Sequence, residues 1–141
     1  MSAIVVGTDG SRGAEAAVEK VAKLMRGTEA TDHVVCAYSG RSTLERLGIT
    51  ARQDSIDLRG VASDVLARAE GRLREAGLHV EKHAREGDPA NVILEIAEEQ
   101  GADLVVVGAY SGVGRGRFML GGVPAKLSHH VSTSLLIVRE Q

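Results

Sequence analysis

Residues 3–11, AIVVGTDGS, combine an uninterrupted apolar run with a short polar loop that ends in Ser11, a residue type that often caps helices. Similar apolar runs return as VVCAY at 34–38, LVVVG at 104–108 and LLIV at 135–138. Continuous rather than alternating hydrophobicity is typical of parallel strands that are covered on both faces. The opening stretch therefore predicts a first strand and the start of a helix in an α/β protein.

Amphipathic helical patterns separate the apolar runs. Between 14 and 25, apolar residues recur every three or four positions, and residues 61–73 repeat this pattern. A third helix is predicted from DPAN, where Asp88 can cap the helix and Pro89 occupies its first position, to Gly101. We expect these helices to pack their apolar sides against a sheet.

The remaining segments complete an alternating order of strands and helices. HVEKHARE at 79–86 is polar enough for an edge strand, and Val123 with Leu127 indicates a short fourth helix before the last strand. Such alternation implies right-handed crossovers and a doubly wound parallel sheet. We predict a single α/β domain over residues 1–141, with a five-stranded parallel sheet of order 3-2-1-4-5 and two helices on each face.

The composition limits the classes of protein and partner. The chain of 141 residues fits one domain, and with 43% hydrophobic but only 2% aromatic residues its core must be aliphatic. A formal net charge of -2 argues against general nucleic-acid binding, which needs a surplus of Lys and Arg. The single cysteine, Cys36, lies in an apolar run, and no membrane span or targeting segment is recognisable. We expect a cytoplasmic protein without nucleic-acid or membrane partners.

Two loops meet the condition for a ligand site in this fold. In doubly wound sheets, ligands bind beyond the carboxyl ends of the strands where the strand order reverses, which selects GTDGS after strand one and GAYSGVGRGRFMLGG after strand four. Their glycines allow close backbone approach, and a loop entering a helix can direct N–H groups at an anion. Arg115 and Arg117 can add charge, and Asp9 can contact a ribose hydroxyl or a phosphate-bound metal ion. A surface loop with solvated arginines is the competing interpretation.

Common phosphate-binding motifs do not match this loop. Gly116 and Gly121 have the glycine spacing of a Walker A loop, but Gly122 and Val123 stand where Lys and Ser or Thr are needed. The third glycine of the dinucleotide fingerprint is also missing. The sequence therefore predicts neither a Walker ATPase nor a Rossmann dinucleotide site.

The histidines do not form a ligand pattern for a metal ion. His79 and His83 share one strand face but lie too far apart along it to ligate one ion, and His129 and His130 are adjacent on a helix. We predict no metal site formed by these side chains.

Four segments carry a resemblance to a known family over nearly the whole chain. The first strand ends VVGTDGS, the fourth reads ADLVVVG, the following loop closes LGGVPAKLS and the last strand is SLLIV. In these features the sequence resembles the universal stress protein family, whose members carry a Gly-x2-Gly-x9-Gly-[Ser/Thr] pattern after the fourth strand that is associated with ATP binding. The resemblance implies an adenine nucleotide alpha hydrolase-like fold. It also implies a homodimer that pairs its terminal edge strands, Leu135 to Val138, in antiparallel fashion.

The nucleotide motif of that family is matched in part. Counting from Gly108, the second glycine falls on Ser111, the third falls on Gly121, and Gly122 replaces the closing Ser or Thr. GGVPAKLS is similar to a subgroup that binds cyclic AMP. The resemblance and the loop argument together predict contacts with ATP, which would bring Mg²⁺, or with cyclic AMP. The expected site residues are Gly7, Thr8, Asp9, Ala37, Gly108, Ser111, Gly112, Arg115, Arg117, Gly121, Gly122 and Val123.

Two functions stay open at this point. The first is a regulatory module of the stress response that binds an adenine nucleotide and needs no catalytic machinery. The alternative is a dimeric interaction protein of the same fold whose altered motif, at Ser111 and Gly122, no longer holds nucleotide. Slow ATP hydrolysis, which would rest on Asp9 alone, is a third candidate.

Overall fold

The predicted strands form one parallel sheet. The computed structural model describes residues 2–39, 57–109 and 122–140. Within these ranges the sheet has five strands in the order β3-β2-β1-β4-β5, which confirms the prediction. The strands are β1 (Ala3–Gly7), β2 (Thr31–Tyr38), β3 (His79–Glu86), β4 (Leu104–Gly108) and β5 (Ser134–Val138).

Four helices appear in the described part of the chain, and the predicted caps are present. The helices are α1 (Arg12–Leu24), α2 (Leu58–Glu75), α3 (Pro89–Gln100) and α4 (Gly122–His130). Ser11 Oγ accepts a hydrogen bond from the Ala14 N–H at 3.3 Å, and Asp88 Oδ2 accepts one from the Asn91 N–H at 3.1 Å. Of these helices, none has both the length and the apolar composition that crossing a bilayer requires.

β1 is the central strand, and the direction in which successive strands are added to the sheet reverses at β1. Val6 of β1 lies beside Val34 of β2 on one side and Val106 of β4 on the other. At the start of β1, Asp103 Oδ2 accepts hydrogen bonds from the N–H groups of Ser2 (2.7 Å) and Ala3 (3.1 Å). The carboxyl ends of β1 and β4 therefore lie side by side at one edge of the sheet.

Within residues 2–39, 57–109 and 122–140, each face of the sheet carries two helices and an aliphatic core, and the composition predicts this type of core. α1 and α2 pack on one face around Ile4, Val21 and Leu73, and α3 and α4 pack on the other around Ile96 and Leu127. Cys36 belongs to the first of these cores and is 5% exposed, which confirms that its thiol is buried.

β2 begins three residues before its apolar run, with two buried polar side chains. Asp32 is fully buried, and its two carboxylate oxygens have no hydrogen-bond partner in the part of the chain that the structure describes. Burial raises the pKa of Asp32 from its ordinary value of 3.8 to about 6. His33 follows in the strand, so its side chain points to the opposite face, where its ring is 3% exposed and contacts His83. Hydropathy did not predict this start of β2.

The β3 edge is covered by charged side chains, as expected for an edge strand. Arg85 donates two hydrogen bonds to Glu99 of α3, at 2.8 and 3.1 Å, and lies 3.6 Å from Glu95. Lys82 Nζ lies 3.2 Å from Glu70 Oε1 of α2. Glu95 and Glu99 are exposed carboxylates of α3, and both hold the edge strand to the helix.

Candidate functional site

The loop between β1 and α1 is held by its own side chains. The Thr8 N–H donates to the Val35 carbonyl at 2.9 Å, and Thr8 Oγ1 accepts from the Gly10 N–H at 3.2 Å. Asp9 Oδ1 accepts from the Ser11 N–H at 2.9 Å. Three N–H groups of this loop are therefore already occupied, and the Asp9 carboxylate is fixed by a turn of the backbone.

Two glycines allow helices to approach the strand ends very closely. A Cβ atom on Gly108 would lie 2.6 Å from the carbonyl oxygen of Gly13, in the first turn of α1. A Cβ atom on Gly7 would lie 2.6 Å from Cδ1 of Ile93 in α3. The first neighbour is backbone and the second is the end of a flexible side chain, so the Gly108 contact is the stricter requirement.

A cleft opens beyond the carboxyl ends of β1 and β4, at the point where the strand order reverses. Its volume is about 480 Å³ when the part open to solvent is included. Thr8, Asp9 and Ser11 give it a polar side, and the remaining described lining is apolar or glycine. The described lining residues are Gly7, Thr8, Asp9, Ser11, Ala14, Val35, Ala37, Pro89, Ile93, Val107, Gly108, Val123 and Pro124. A mostly apolar cleft with a few polar groups on one side is typical of small-molecule sites.

An ion pair joins the two helices that border the cleft on one face. Lys126 Nζ of α4 lies 3.2 Å from Asp88 Oδ2, the cap of α3. Burial acts to raise the pKa of Asp88, but the Asn91 N–H and the Lys126 ammonium outweigh it and hold that pKa below its ordinary value. Pro89 directly follows Asp88, and Pro124 lies two positions before Lys126. Both prolines line the cleft.

The structure brings together part of the predicted site. Six of the predicted residues line the cleft, whereas Gly122 is exposed at the first position of α4 and is not among the lining residues. Ser111, Gly112, Arg115, Arg117 and Gly121 lie outside the described residues. The six lining residues are Gly7, Thr8, Asp9, Ala37, Gly108 and Val123.

Sequence reasoning missed most of the apolar wall. Val35 lies two positions before Ala37 on the same strand face, so the strand period alone could have added it. Pro89 was predicted only as the first residue of a helix, and Ile93 in the next turn received no site prediction, because a helical pattern does not show which end of its apolar side reaches a cleft. Ser11 was predicted only as a helix cap, and it both caps α1 and lines the cleft.

The described lining of the cleft carries a single ionisable side chain, that of Asp9. Across residues 2–39, 57–109 and 122–140, no three His, Cys, Asp or Glu side chains converge to hold a metal ion. The described arrangement can accept hydrogen bonds and bury apolar surface.

The chain is similar in sequence to proteins of one known family. The universal stress protein family matches residues 1–139. Universal stress protein Rv1636 of Mycobacterium tuberculosis is 32% identical over 138 residues, which cover 96% of this chain and 94% of the relative.

Solved structures agree in fold along the same length. A crystal structure of a universal stress protein in complex with cAMP superposes with a TM-score of 0.73 at 28% identity, covering 99% of this chain and 98% of that chain. The structure of the hypothetical protein MJ0577 superposes with a TM-score of 0.83 at 20% identity, covering 99% and 96% respectively, and shows the likeness of fold. With a family match over residues 1–139 and a relative that is 32% identical across 96% of this chain, the protein belongs to the universal stress protein family.

Proposed function

We propose that the chain is a regulatory module of the stress response that binds an adenine nucleotide in the cleft between β1 and β4. The observation that carries this proposal is the cleft itself, which lies where the strand order reverses and has an apolar wall facing a polar loop. The relative of 28% identity that was solved with cAMP supports the choice of ligand class. We propose binding rather than catalysis, because Asp9 is the one titratable lining residue in the described ranges. Cys36 is buried and is the single cysteine of the sequence, so it forms no intrachain disulfide, which supports the cytoplasmic location that we also propose.

The two sides of the cleft suit different parts of a nucleotide. Val35, Ile93 and Pro124 offer apolar surface to a flat base. The Asp9 carboxylate is an acceptor, so it suits the hydroxyl groups of a ribose and repels a phosphate. The sequence predicts phosphate contacts from the loop that follows β4, residues 108–122 with Arg115 and Arg117, and this loop keeps that role in our proposal.

The direct test is a calorimetric titration with cyclic AMP and with ATP, the latter with and without Mg²⁺. We expect saturable binding of at least one of these nucleotides with one site per chain. Flat titrations with both, together with no nucleotide released from the denatured purified protein in mass spectrometry, would contradict the proposal. That pair of results would favour the alternative, a dimeric interaction protein of the same fold.

Asp9→Ala is expected to weaken nucleotide binding by about tenfold or more, because a hydrogen bond to a charged acceptor contributes roughly 1.5–3 kcal/mol. The variant also loses the acceptor for the Ser11 N–H. Asp9→Asn keeps an oxygen for that bond and removes the charge, so its affinity should lie between those of the other two proteins.

Asp64→Ala, which removes an exposed carboxylate from α2, is the matched control and should bind as the wild type does. Titration calorimetry at one pH and one ionic strength compares all four proteins. Equal affinities for Asp9→Ala and wild type would exclude Asp9 from the site.

We also propose a homodimer formed through β5. This strand ends the sheet, and Leu135, Leu136 and Ile137 are only partly buried in the single chain. An apolar edge strand is protected when a second copy pairs with it across a twofold axis. Light scattering at micromolar concentration should give twice the mass of the chain.

Leu135→Lys should shift the protein to a monomer, because it places a charge beside the proposed twofold axis. Leu24→Lys changes the leucine that is 52% exposed on α1 and should remain dimeric. Thermal melts of both variants show whether each chain is folded. A monomeric wild type would contradict the proposed dimer.

A further inference from the structure

Two histidines from neighbouring strands meet on the face of the sheet that α3 covers. His33 Nδ1 of β2 lies 2.9 Å from His83 Nε2 of β3, and the ring centroids are 5.1 Å apart at an interplanar angle of 38°. A nitrogen–nitrogen distance of 2.9 Å is a hydrogen bond, so one ring donates its N–H and the other accepts. The pair therefore depends on having a single proton between the two nitrogens.

Charged side chains surround the pair on its own face. Glu81 Oε2 lies 3.5 Å from the same His33 nitrogen. Arg85 from β3 and Glu99 from α3 act on His83, and Arg85 also pairs with Glu95 of α3. These charges make the electrostatic surroundings of the two rings mixed in sign.

Among the residues next to His33 in the sheet, Asp32 is ionisable, and its side chain lies on the opposite face. Val5, the register partner of His33 in β1, is apolar. Thr31 begins β2 and carries no charge.

Protonation changes this pair in two steps. With one added proton, the hydrogen bond persists as N–H⁺···N and Glu81 lies near its charge. A second proton puts two N–H donors and two positive charges face to face, which the hydrogen bond cannot survive. Burial lowers the pKa of both rings, and the His33 charge lowers that of His83 further, against the opposing effect of Glu81. The rings therefore titrate as a coupled pair.

The pair lies directly beneath the wall of the cleft. His83 is the register partner of Val35, which lines the cleft on the same strand face as His33. α3 covers this face, with Ile96 in the core beside Val35 and with Ile93 and Pro89 lining the cleft. Separation of the two rings needs room on the face that α3 covers, and α3 carries Pro89 and Ile93 of the apolar wall.

We propose that the His33–His83 pair is a proton-operated element beneath the cleft, and that its second protonation weakens ligand binding. This inference rests on the proposed function, because it concerns regulation of the same site. The coupling is reciprocal: if the second protonation weakens ligand binding, a bound ligand makes the second protonation less favourable by the same free energy.

Calorimetric titration with cyclic AMP, from pH 8 to pH 5, tests the coupling. The single phosphate of cyclic AMP keeps its charge over this range, and none of the described lining residues is a histidine. We expect binding at pH 5 to be about threefold weaker than at pH 7.5, with most of the loss below pH 6, because burial lowers the pKa of both rings and delays the second protonation.

His83→Gln should remove most of this pH dependence, because the amide can hydrogen-bond to His33 and cannot take up a proton. His79→Gln changes an exposed histidine of the same strand and should keep the wild-type pH dependence. A wild-type affinity that does not change with pH, or a dependence that persists fully in His83→Gln, overturns the inference and leaves the proposed function intact.

NMR titration of the imidazole signals in the ligand-free wild type tests the pair without any ligand. We expect both rings to take up their last proton with a pKa below the ordinary histidine pKa of about 6.5. We also expect the two rings to titrate as a coupled pair. Two rings that titrate independently near that value overturn the inference. If cyclic AMP and ATP fail to bind at every pH, the proposed function fails and the coupling fails with it, while the NMR result separately decides whether the pair responds to protons.

Discussion

Asp32→Asn is expected to raise the free energy of unfolding by about 3 kcal/mol at pH 8 and to change it little at pH 4. Asp32 lies in the core between the sheet and the α1–α2 layer, with no partner for its oxygens among the described residues. A buried carboxylate without a partner must lose its proton in an apolar environment as the pH rises. Asparagine has nearly the same shape and stays neutral throughout.

The sign follows from proton binding in the two states. The pKa of Asp32 is raised from 3.8 to about 6 in the folded protein, so the folded state holds the proton more tightly than the unfolded chain does. Stability is therefore greatest below pH 4 as far as this group is concerned, and falls as the pH rises through 6. The difference between the two pKa values corresponds to about 3 kcal/mol.

Urea denaturation of wild type and variant at pH 4, 6 and 8 measures this effect. The His33–His83 pair is present in both proteins, so the difference between them isolates Asp32. Asp64→Asn, at an exposed position of α2, should show no comparable change with pH. An Asp32→Asn protein that is less stable than wild type at pH 8 would mean that the ionised carboxylate is stabilised by a favourable partner.

Gly108→Ala is expected to lower the free energy of unfolding by about 1–3 kcal/mol and to weaken nucleotide binding. The new methyl group would lie 2.6 Å from the Gly13 oxygen and 2.7 Å from the Gly13 carbonyl carbon. Both atoms are backbone, so no rotamer change relieves the clash and α1 must move away from β4. That movement would widen the cleft at the carboxyl ends of β1 and β4, beside the polar loop that follows Gly7.

Gly71→Ala provides a matched control of opposite sign. Gly71 lies within α2, and a Cβ atom there would meet nothing within 4 Å. This substitution should stabilise the protein by about 0.5–1 kcal/mol through helix propensity. Thermal or urea denaturation compares the two variants, and calorimetry compares their ligand affinity. A Gly108→Ala protein with wild-type stability and affinity would show that α1 and β4 can separate freely.

The sequence was sufficient to predict the order and type of the elements. Continuous apolar runs identify strands that are buried on both faces, and the caps at Ser11 and Asp88 place the starts of two helices. These signals are local, and each can be recognised within about ten residues. The sheet order then follows from connection rules rather than from any single residue.

Polar residues inside the sheet could not be predicted in the same way. Asp32 and His33 precede the apolar run of β2, and hydropathy assigns such residues to a loop. His33 is buried because its ring meets His83, which lies fifty positions later in the chain. Contacts between distant segments leave no periodic trace in one sequence.

The candidate site shows the same division. The β1 loop and Gly108 were predicted because the fold places strand ends together, and the structure brings them to one cleft. The wall formed by Pro89, Ile93 and Pro124 depends on how far α3 and α4 lean over the sheet, which is a matter of packing between helices.

The central position of β1 determines when the cleft can exist during synthesis. Ile4 pairs with Asp32 on one side and with Leu104 on the other, so its second neighbour leaves the ribosome about a hundred residues after it does. In a nascent chain that ends before β4, β1 has an open edge and the cleft lacks the lining residues Val107, Gly108, Val123 and Pro124. Ligand would recognise only chains that have completed this long-range pairing, and would stabilise them against unfolding by mass action.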